Sequence, residues 1–358
     1  MTRIVIIGGG AAGINTLQAL ARHLKASDNT EIVLLEKNSY FYHVAPPCKF
    51  ARIIRGVATR ISVGPNEVSY HAIDIDDKKK GGLEQLSFDY LVLATGSIYS
   101  VPIKPGTHDY TRLAMKTKLQ EVRHHIEQAE KIVVIGGGAV GCEVAAEIKF
   151  EYPNKSVTIV DGNEKLVSGN NLRLENHGVK VILGERLTEH LNGNSFEKCL
   201  LHTDKGTEIE SDIQLLRGGF SPVATLVQEM DASLVTERGT VKVNNQLQLE
   251  DEKYGHLFAL GDMCNHSAPK MAFIAGKQGK FLANELAAVI HKKQPRFTNP
   301  FEVPAVAATI LSLGPSGGVS QLPVCGGIVV GDWFTWLLKS RDYFAGRIWA
   351  SIGATVPN

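Results

Sequence analysis

A glycine turn occurs twice in this chain. Ile4–Gly13 reads IVIIGGGAAG and Ile132–Gly141 reads IVVIGGGAVG, differing only at Ile6 against Val134 and at Ala12 against Val140. In each copy a β-branched run leads into three glycines and then a helix-compatible stretch. That pattern is a buried parallel strand, a tight turn and a helix. The glycines are spaced G-x-G-x-x-G, as Gly8, Gly10, Gly13 and as Gly136, Gly138, Gly141. The first makes the turn, the second lets a pyrophosphate approach the backbone, and the third lets helix and strand pack closely. The helix N-terminus then offers free N–H groups and a partial positive charge to the phosphates. One such turn can exist for packing alone. Two copies in the same strand context predict two dinucleotide sites.

Each copy also has an acid at the end of its next strand. Glu36 ends EIVLLEKN and Asp161 ends SVTIVDGN, each about 20 residues beyond the last glycine, where a carboxylate accepts a ribose hydroxyl. The copies differ two residues after the last glycine, with Asn15 in the first and Glu143 in the second. Glu143 suits a helix N-terminus electrostatically, and it also lies where a nicotinamide ribose would pass. The first fingerprint opens the chain, so FAD is assigned to Gly8, Gly10, Ala11, Ala12, Gly13 and Glu36. A nicotinamide nucleotide is assigned to Gly136, Gly138, Gly141, Glu143 and Asp161. Two further segments fit a two-dinucleotide flavoprotein: DYLVLATGS, with Thr95 and Gly96 at a crossover, and HLFALGDMCN, with Asp262 placed to bind a ribityl chain.

The 358 residues suggest two or three domains. The fold class expected is α/β, with two Rossmann-like dinucleotide-binding domains and a small C-terminal domain. The boundaries read as 1–101 with 246–296 for a discontinuous FAD domain, 102–245 for the NAD(P)H domain and 297–358 for the tail. A net charge of +1 argues against a nucleic-acid partner. The five cysteines form no C-x-x-C pair, so neither a redox dithiol nor a cysteine metal site is expected. No metal ligands are assigned. No secretory leader is expected, and Thr2 is not the glycine that N-myristoylation requires. The apolar stretch LPVCGGIVVGDWFTWLL is too broken for a transmembrane helix. An intracellular protein is therefore expected.

The stretches AEIKFEYPNKSVTIV, TDKGTEI, GDMCNHSAPKMAFIAGKQG and SLGPSGGVSQLP with LLKSRDYFAGRIW resemble the AMID branch of the apoptosis-inducing-factor family over nearly the whole chain. The resemblance implies a fold similar to glutathione reductase and type II NADH dehydrogenases. It also implies FAD or a modified FAD, NAD(P)H as donor and a quinone-type acceptor reached at a membrane surface. Peripheral placement on the mitochondrial outer membrane or a lipid droplet would follow, as an alternative to the cytoplasm. It implies roles for Glu143 on the nicotinamide-domain helix and for Pro269–Ala272, with Met271 and Ala272 at a helix start facing the flavin pyrimidine. A helix start there would stabilise the anionic reduced flavin. By this resemblance catalysis is flavin-borne, with Glu143, Lys270 and His43 as candidate catalytic residues; Lys270 could add charge or could be merely solvated. His43, in YFYHVAPPCKF, could lie by the flavin or bond only backbone.

The chain departs from that family in three places. The stretch between Asp161 and Gly178 is short, Pro46 and Pro47 enter the loop after Glu36, and LLRGGFSPV puts Arg217 where a small residue is common while keeping Gly219. NADH is expected over NADPH, because Asp161 would repel a 2′-phosphate. The tail holds Trp333, Trp336 and Trp349 beside Lys339, Arg341 and Arg347, which either caps the flavin domain or docks on a bilayer. Two other readings remain open: a death or signalling factor with little turnover, and a reductase of a soluble carrier.

Overall fold

The computed structural model describes residues 1–38, 50–74, 78, 81–100, 111–167, 171–292, 296–303, 309–322 and 328–346. Along the chain, β1 (Thr2–Ile7) runs into α1 (Ala11–His23) and back into β2 (Thr30–Glu36). Then come β3 (Ala51–Ser62), β4 (Glu67–Ala72), β5 (Glu84–Ser87), β6 (Tyr90–Leu93) and the short β7 (Ser97–Ile98). The middle of the chain holds α2 (Arg112–Gln128), β8 (Lys131–Ile135), α3 (Ala139–Glu151), β9 (Ser156–Asp161), α4 (Asn171–Asn176) and β10 (Lys180–Leu183). The hairpin β11 (Cys199–His202) and β12 (Glu208–Ser211) precedes β13 (Ile213–Leu216). Next are β14 (Ser221–Pro222), α5 (Thr225–Met230), β15 (Leu257–Ala259) and α6 (Ala272–Ile290). The tail contributes β16 (Thr309–Ser312), β17 (Gly318–Leu322), β18 (Ile328–Val330), α7 (Asp332–Thr335) and a π-turn at Trp336–Ser340.

These elements divide into two compact units. The first comprises the described residues of Met1–Ile98, Thr107–Arg112 and Ser221–Pro304. Its sheet has the order β15-β6-β1-β2-β3-β4-β5. β1 lies parallel between β2 and β6, with Ile4 opposite Ile32 and Tyr90. Ile4, Val5, Ile6, Ile32 and Val33 are all fully buried, as strands covered on both faces require. On one face Ile4, Ile6 and Leu34 meet Leu17 and Leu20 of α1 and Leu282 and Leu286 of α6. On the other, Val5, Val33 and Leu35 join Ile61, Val68 and Leu86. Each such side chain contributes about 1.5–3 kcal/mol by leaving water. Helices α1 and α6 approach closely because α6 presents Gly279: a Cβ there would lie 2.5 Å from the Ala12 carbonyl oxygen.

The second unit comprises the described residues of Tyr99–Gly106, Leu113–Phe220 and Ala305–Asn358. Its parallel sheet runs β10-β9-β8-β13, with α3 packed on it through Cys142, Ala145 and Ile148. Leu311 and Leu313 of the tail enter the same core, so the antiparallel sheet β16-β17-β18 closes this unit. The hairpin β11-β12 turns at Asp204–Gly206, with Cys199 opposite Ser211. Among the described residues no helix is long and apolar enough to cross a membrane, and no group of three His, Cys, Asp or Glu could hold a metal.

Candidate functional site

The two glycine turns fold alike, and each glycine has its own constraint. Gly8 has φ of 103°, and a Cβ on it would lie 2.4 Å from the Ala94 carbonyl oxygen. A Cβ on Gly13 would lie 1.9 Å from the Gly8 carbonyl oxygen, whereas nothing lies within 4 Å of one on Gly10. In the second turn Gly136 has φ of 111° with its Cβ position 2.6 Å from the Gly218 nitrogen, and a Cβ on Gly141 would lie 1.9 Å from the Gly136 carbonyl oxygen. Gly138 is again open to 4 Å. So the outer glycines are demanded by the fold itself. The middle ones leave space where a pyrophosphate can meet the backbone. Gly10 and Gly138 are also the N-caps of α1 and α3, and neither helix has a side-chain cap. Ala11 and Ala12 open α1.

Each acid clamps its own turn. Glu36 accepts from the Gly9 N–H with one oxygen and from the Asn38 N–H, at 2.8 Å, with the other. Asp161 accepts from the Gly137 N–H at 2.5 Å with one oxygen and from the Asn163 N–H at 2.7 Å with the other. The Asn163 side-chain amide adds a bond to Asp161 at 2.6 Å. The side-chain oxygen of Asn38 is buried with no hydrogen-bond partner among the described residues. An unmatched acceptor beside Glu36 fits a ribose or adenine donor. The acid-x-Asn pattern, EKN in one copy and DGN in the other, was a sequence signal for both asparagines.

The remaining FAD-assigned residues gather within the first unit. Asp262 accepts from Ser97 Oγ at 2.5 Å. Thr95 Oγ1 donates to the Val223 carbonyl at 2.6 Å, and the Gly96 carbonyl accepts the Val223 N–H at 2.9 Å. Helix α6 begins at Ala272 with Met271 as N-cap and no side-chain cap. Gly261, Asp262, Pro269, Lys270, Met271 and Gln278 line one small cleft. Buried Gln278 accepts the Gly261 N–H at 2.7 Å. Ser97 and Gln278 carried no motif, since each is one polar residue in an apolar context. Lys270 Nζ reaches the carbonyls of Cys264 at 2.6 Å, His266 at 3.1 Å and Gly261 at 3.4 Å. It ties the loop before α6 together. Burial first, and then the Lys270 charge, hold the His266 imidazole below its ordinary range. His43 lies outside the described residues.

In the second unit Glu143 is covered by the tail. Its carboxylate accepts from Lys339 Nζ and from the Ser312 N–H at 3.1 Å, and Lys339 also reaches the Ile310 carbonyl at 3.1 Å. One helical turn on, Glu147 accepts from the Tyr343 hydroxyl at 2.5 Å. Arg173 of α4 donates to Asp332 at 2.8 Å and to the Gly318 carbonyl at 3.0 Å. Lys339 and Ser312 are far from Glu143 in sequence, and no spacing announces the meeting. Cys142, the residue after Gly141, is buried. Its desolvation, with the charges of Asp161 and Glu143, pushes the thiol up to about 12. Gly219 has φ of 76° and open space around its Cβ position.

The family described as Pyridine nucleotide-disulphide oxidoreductase matches residues 2–279. Ferroptosis suppressor protein 1 of Homo sapiens is 29% identical, with 99% of this chain and 96% of that protein covered. Apoptosis-inducing factor homolog B of Dictyostelium discoideum is 26% identical over 96% of this chain and 95% of that protein. Among solved structures, NDH2 from Plasmodium falciparum in complex with NADH superposes with a TM-score of 0.71 at 14% identity, covering 94% of this chain and 92% of that one. The water-forming NADH oxidase from Lactobacillus brevis superposes with a TM-score of 0.64 at 18% identity, covering 90% and 75%. These structural likenesses establish the fold.

Proposed function

Because this chain belongs to the pyridine nucleotide-disulphide oxidoreductase family, we propose that it oxidises NADH and passes the electrons through FAD to a quinone-type acceptor. It is an FAD-dependent NAD(P)H oxidoreductase with curated relatives along nearly its full length. The acceptor, the preference for NADH and the residue roles are our reading. The observation that carries it is the pair of glycine turns, each clamped by an acid and each open only at its middle glycine.

When bound, the flavin accepts a hydride from the nicotinamide and releases electrons onward. The protein's own groups bind and orient. In this reading the first unit is the FAD domain. Gly10 and the uncapped start of α1 hold the pyrophosphate, while Glu36 and Asn38 hold the adenosine ribose. Asp262 and Ser97 hold the ribityl chain, and the start of α6 lends its partial positive charge to the flavin pyrimidine. In the second unit Gly138 and the start of α3 hold the nicotinamide dinucleotide, with Asp161 at the adenosine ribose. Glu143, already paired with Lys339, is held beside the path of the nicotinamide ribose.

NADH preference is supported by Asp161, whose charge opposes a 2′-phosphate. Arg186 moderates it. Its side chain packs against Gly162, with Cζ 2.9 Å from a Cβ built there, so a cation stands beside the same ribose.

Weak docking of the tail on a bilayer is supported by exposed apolar side chains on one unit. Trp333 is 71% and Val329 63% exposed, and Ile328, Leu337 and Tyr343 are partly so. An apolar acceptor would enter from that phase. Deleting the tail from Trp333 would also remove Lys339, Tyr343 and the buried Thr335 and Ser340, so point substitution is the cleaner probe. The test is turnover of the purified flavoprotein with NADH and a short-chain ubiquinone, menadione or ferricyanide, together with vesicle flotation. Wild type should reduce the quinones. Trp333→Ser should weaken flotation and quinone reduction and spare ferricyanide. Absence of quinone turnover overturns the acceptor, and unchanged flotation overturns the docking surface.

A further inference from the structure

Arg217 carries a charge that no described residue balances with a carboxylate. It follows β13 directly, exposes only 6% of its surface and has no carboxylate partner among the described residues; burial alone accounts for its guanidinium being drawn down to about 10. Nη1 donates to three neutral oxygens: Ser100 Oγ at 3.1 Å, Asn194 Oδ1 at 2.9 Å and the Leu216 carbonyl at 2.6 Å. Nε is buried without a hydrogen-bond partner among the described residues. Burying a cation among neutral dipoles is unfavourable unless an anion arrives to offset it. Arginine is the side chain that stays charged in such a place.

Its location says where that anion would come from. A Cβ on Gly136 would lie 2.8 Å from the Arg217 carbonyl carbon, and one on Gly141 would lie 3.5 Å from Arg217 Cβ. The Arg217 backbone thus lies against the Gly136 end of the second glycine turn and its Cβ against the Gly141 end. On the open side of that turn, at Gly138, nothing occupies the space within 4 Å of a Cβ position.

We propose that Arg217 is a positioning residue for a diphosphate-bearing nucleotide. From behind the Gly136–Gly141 turn, its fixed charge acts through the loop on the pyrophosphate without touching it. This rests on the reading of the second turn as the nicotinamide dinucleotide site. Through a poorly polarisable interior such a charge is weakly screened by salt.

The test is calorimetric titration of the flavin-loaded protein with ADP-ribose, which carries the diphosphate, and with adenosine, which does not. Arg217→Lys keeps the charge. Arg217→Gln keeps donors for Asn194 and drops the charge. The expected result is about a tenfold loss of ADP-ribose affinity in R217Q, equivalent to about 1.4 kcal/mol. Adenosine affinity should stay within about twofold and R217K within about threefold of wild type in ADP-ribose binding. Flavin content and melting temperature identify a variant that has not folded, and the wild type against R217K then decides: retained ADP-ribose affinity is the expected result, and a tenfold loss overturns the proposal. Equal losses for ADP-ribose and adenosine, or equal behaviour of R217Q and R217K, overturn it while leaving the site intact. Wild type that binds no ADP-ribose overturns the proposal and the nucleotide site together.

Discussion

The two glycine turns are near copies in sequence and in backbone, yet their helices are covered by different things. The third glycine packs onto the first in both, at the same 1.9 Å Cβ-to-oxygen approach. The acid clamps the residue between the first two glycines in both. Beyond that they part. Helix α1 lies against α6, with Asn15 beside Gly276. Helix α3 lies under the tail, with Glu143 and Glu147 held by Lys339 and Tyr343. In our reading the fingerprint specifies a cradle for a pyrophosphate, and the two cradles differ in the neighbour laid across the helix. Asn15 donates to the Ala11 carbonyl of its own helix at 2.8 Å, whereas Glu143 accepts from a lysine of the tail.

The comparison breaks most severely at the third glycine. Gly13→Ala and Gly141→Ala each force a methyl into a backbone oxygen, a misfit costing about 3 kcal/mol, roughly a hundredfold in binding. G13A is expected to purify without flavin. G141A should keep its flavin and lose NADH affinity by that factor. Flavin content by absorbance and NADH titration check both, and loss of flavin in G141A would show the turns are not separate sites.

Asp161→Ala probes the acid at the second turn. It removes the repulsion toward a 2′-phosphate and leaves Arg186 in place. The ratio of kcat/KM for NADPH over NADH should rise roughly tenfold. An unchanged ratio would place the ribose elsewhere.

Lys339→Met tests the cover of α3. Loss of a partly buried ion pair is worth about 1 kcal/mol. KM for NADH should rise roughly fivefold with flavin content unchanged. A loss of flavin instead would mean that the tail supports the other unit.

The smallest effect concerns Cys142, which stands where the first turn has Ile14. Its thiol is raised by burial to about 12 from an ordinary value of 9.0. The folded state therefore favours the protonated form. The sign follows: this contribution to stability is complete below the unfolded pKa and is lost as pH rises from about 9 toward about 12. In mildly alkaline buffer iodoacetamide should label exposed Cys199 and spare Cys142 and Cys264. Peptide mass mapping reads this, and early labelling of Cys142 would contradict its burial.

Much of this was legible in the sequence because it is local. The strand, turn, helix and acid of each copy lie within one βα unit, so spacing alone placed Gly8 to Glu36 and Gly136 to Asp161. Asp262 was legible through its glycine and its apolar strand. The rest is tertiary. Lys339 meets Glu143 only because Leu311 and Leu313 enter the second core, and one lysine in an aromatic tail carries no mark of that. Ser97 meets Asp262 through a sheet crossover. Lys270 was a candidate catalytic residue by position, and only coordinates reveal its three carbonyl partners. Arg217 stands out as a departure from the family pattern, but its burial, and the lack of a carboxylate beside it among the described residues, are properties of the packed state.

The most direct measurement is the visible spectrum of the purified protein during anaerobic titration with NADH. The account predicts a yellow protein whose flavin band bleaches stoichiometrically in wild type and stays unbleached at the same NADH concentration in G141A. A colourless protein that cannot be reconstituted with FAD would contradict it. So would bleaching that proceeds unchanged when the second turn is blocked.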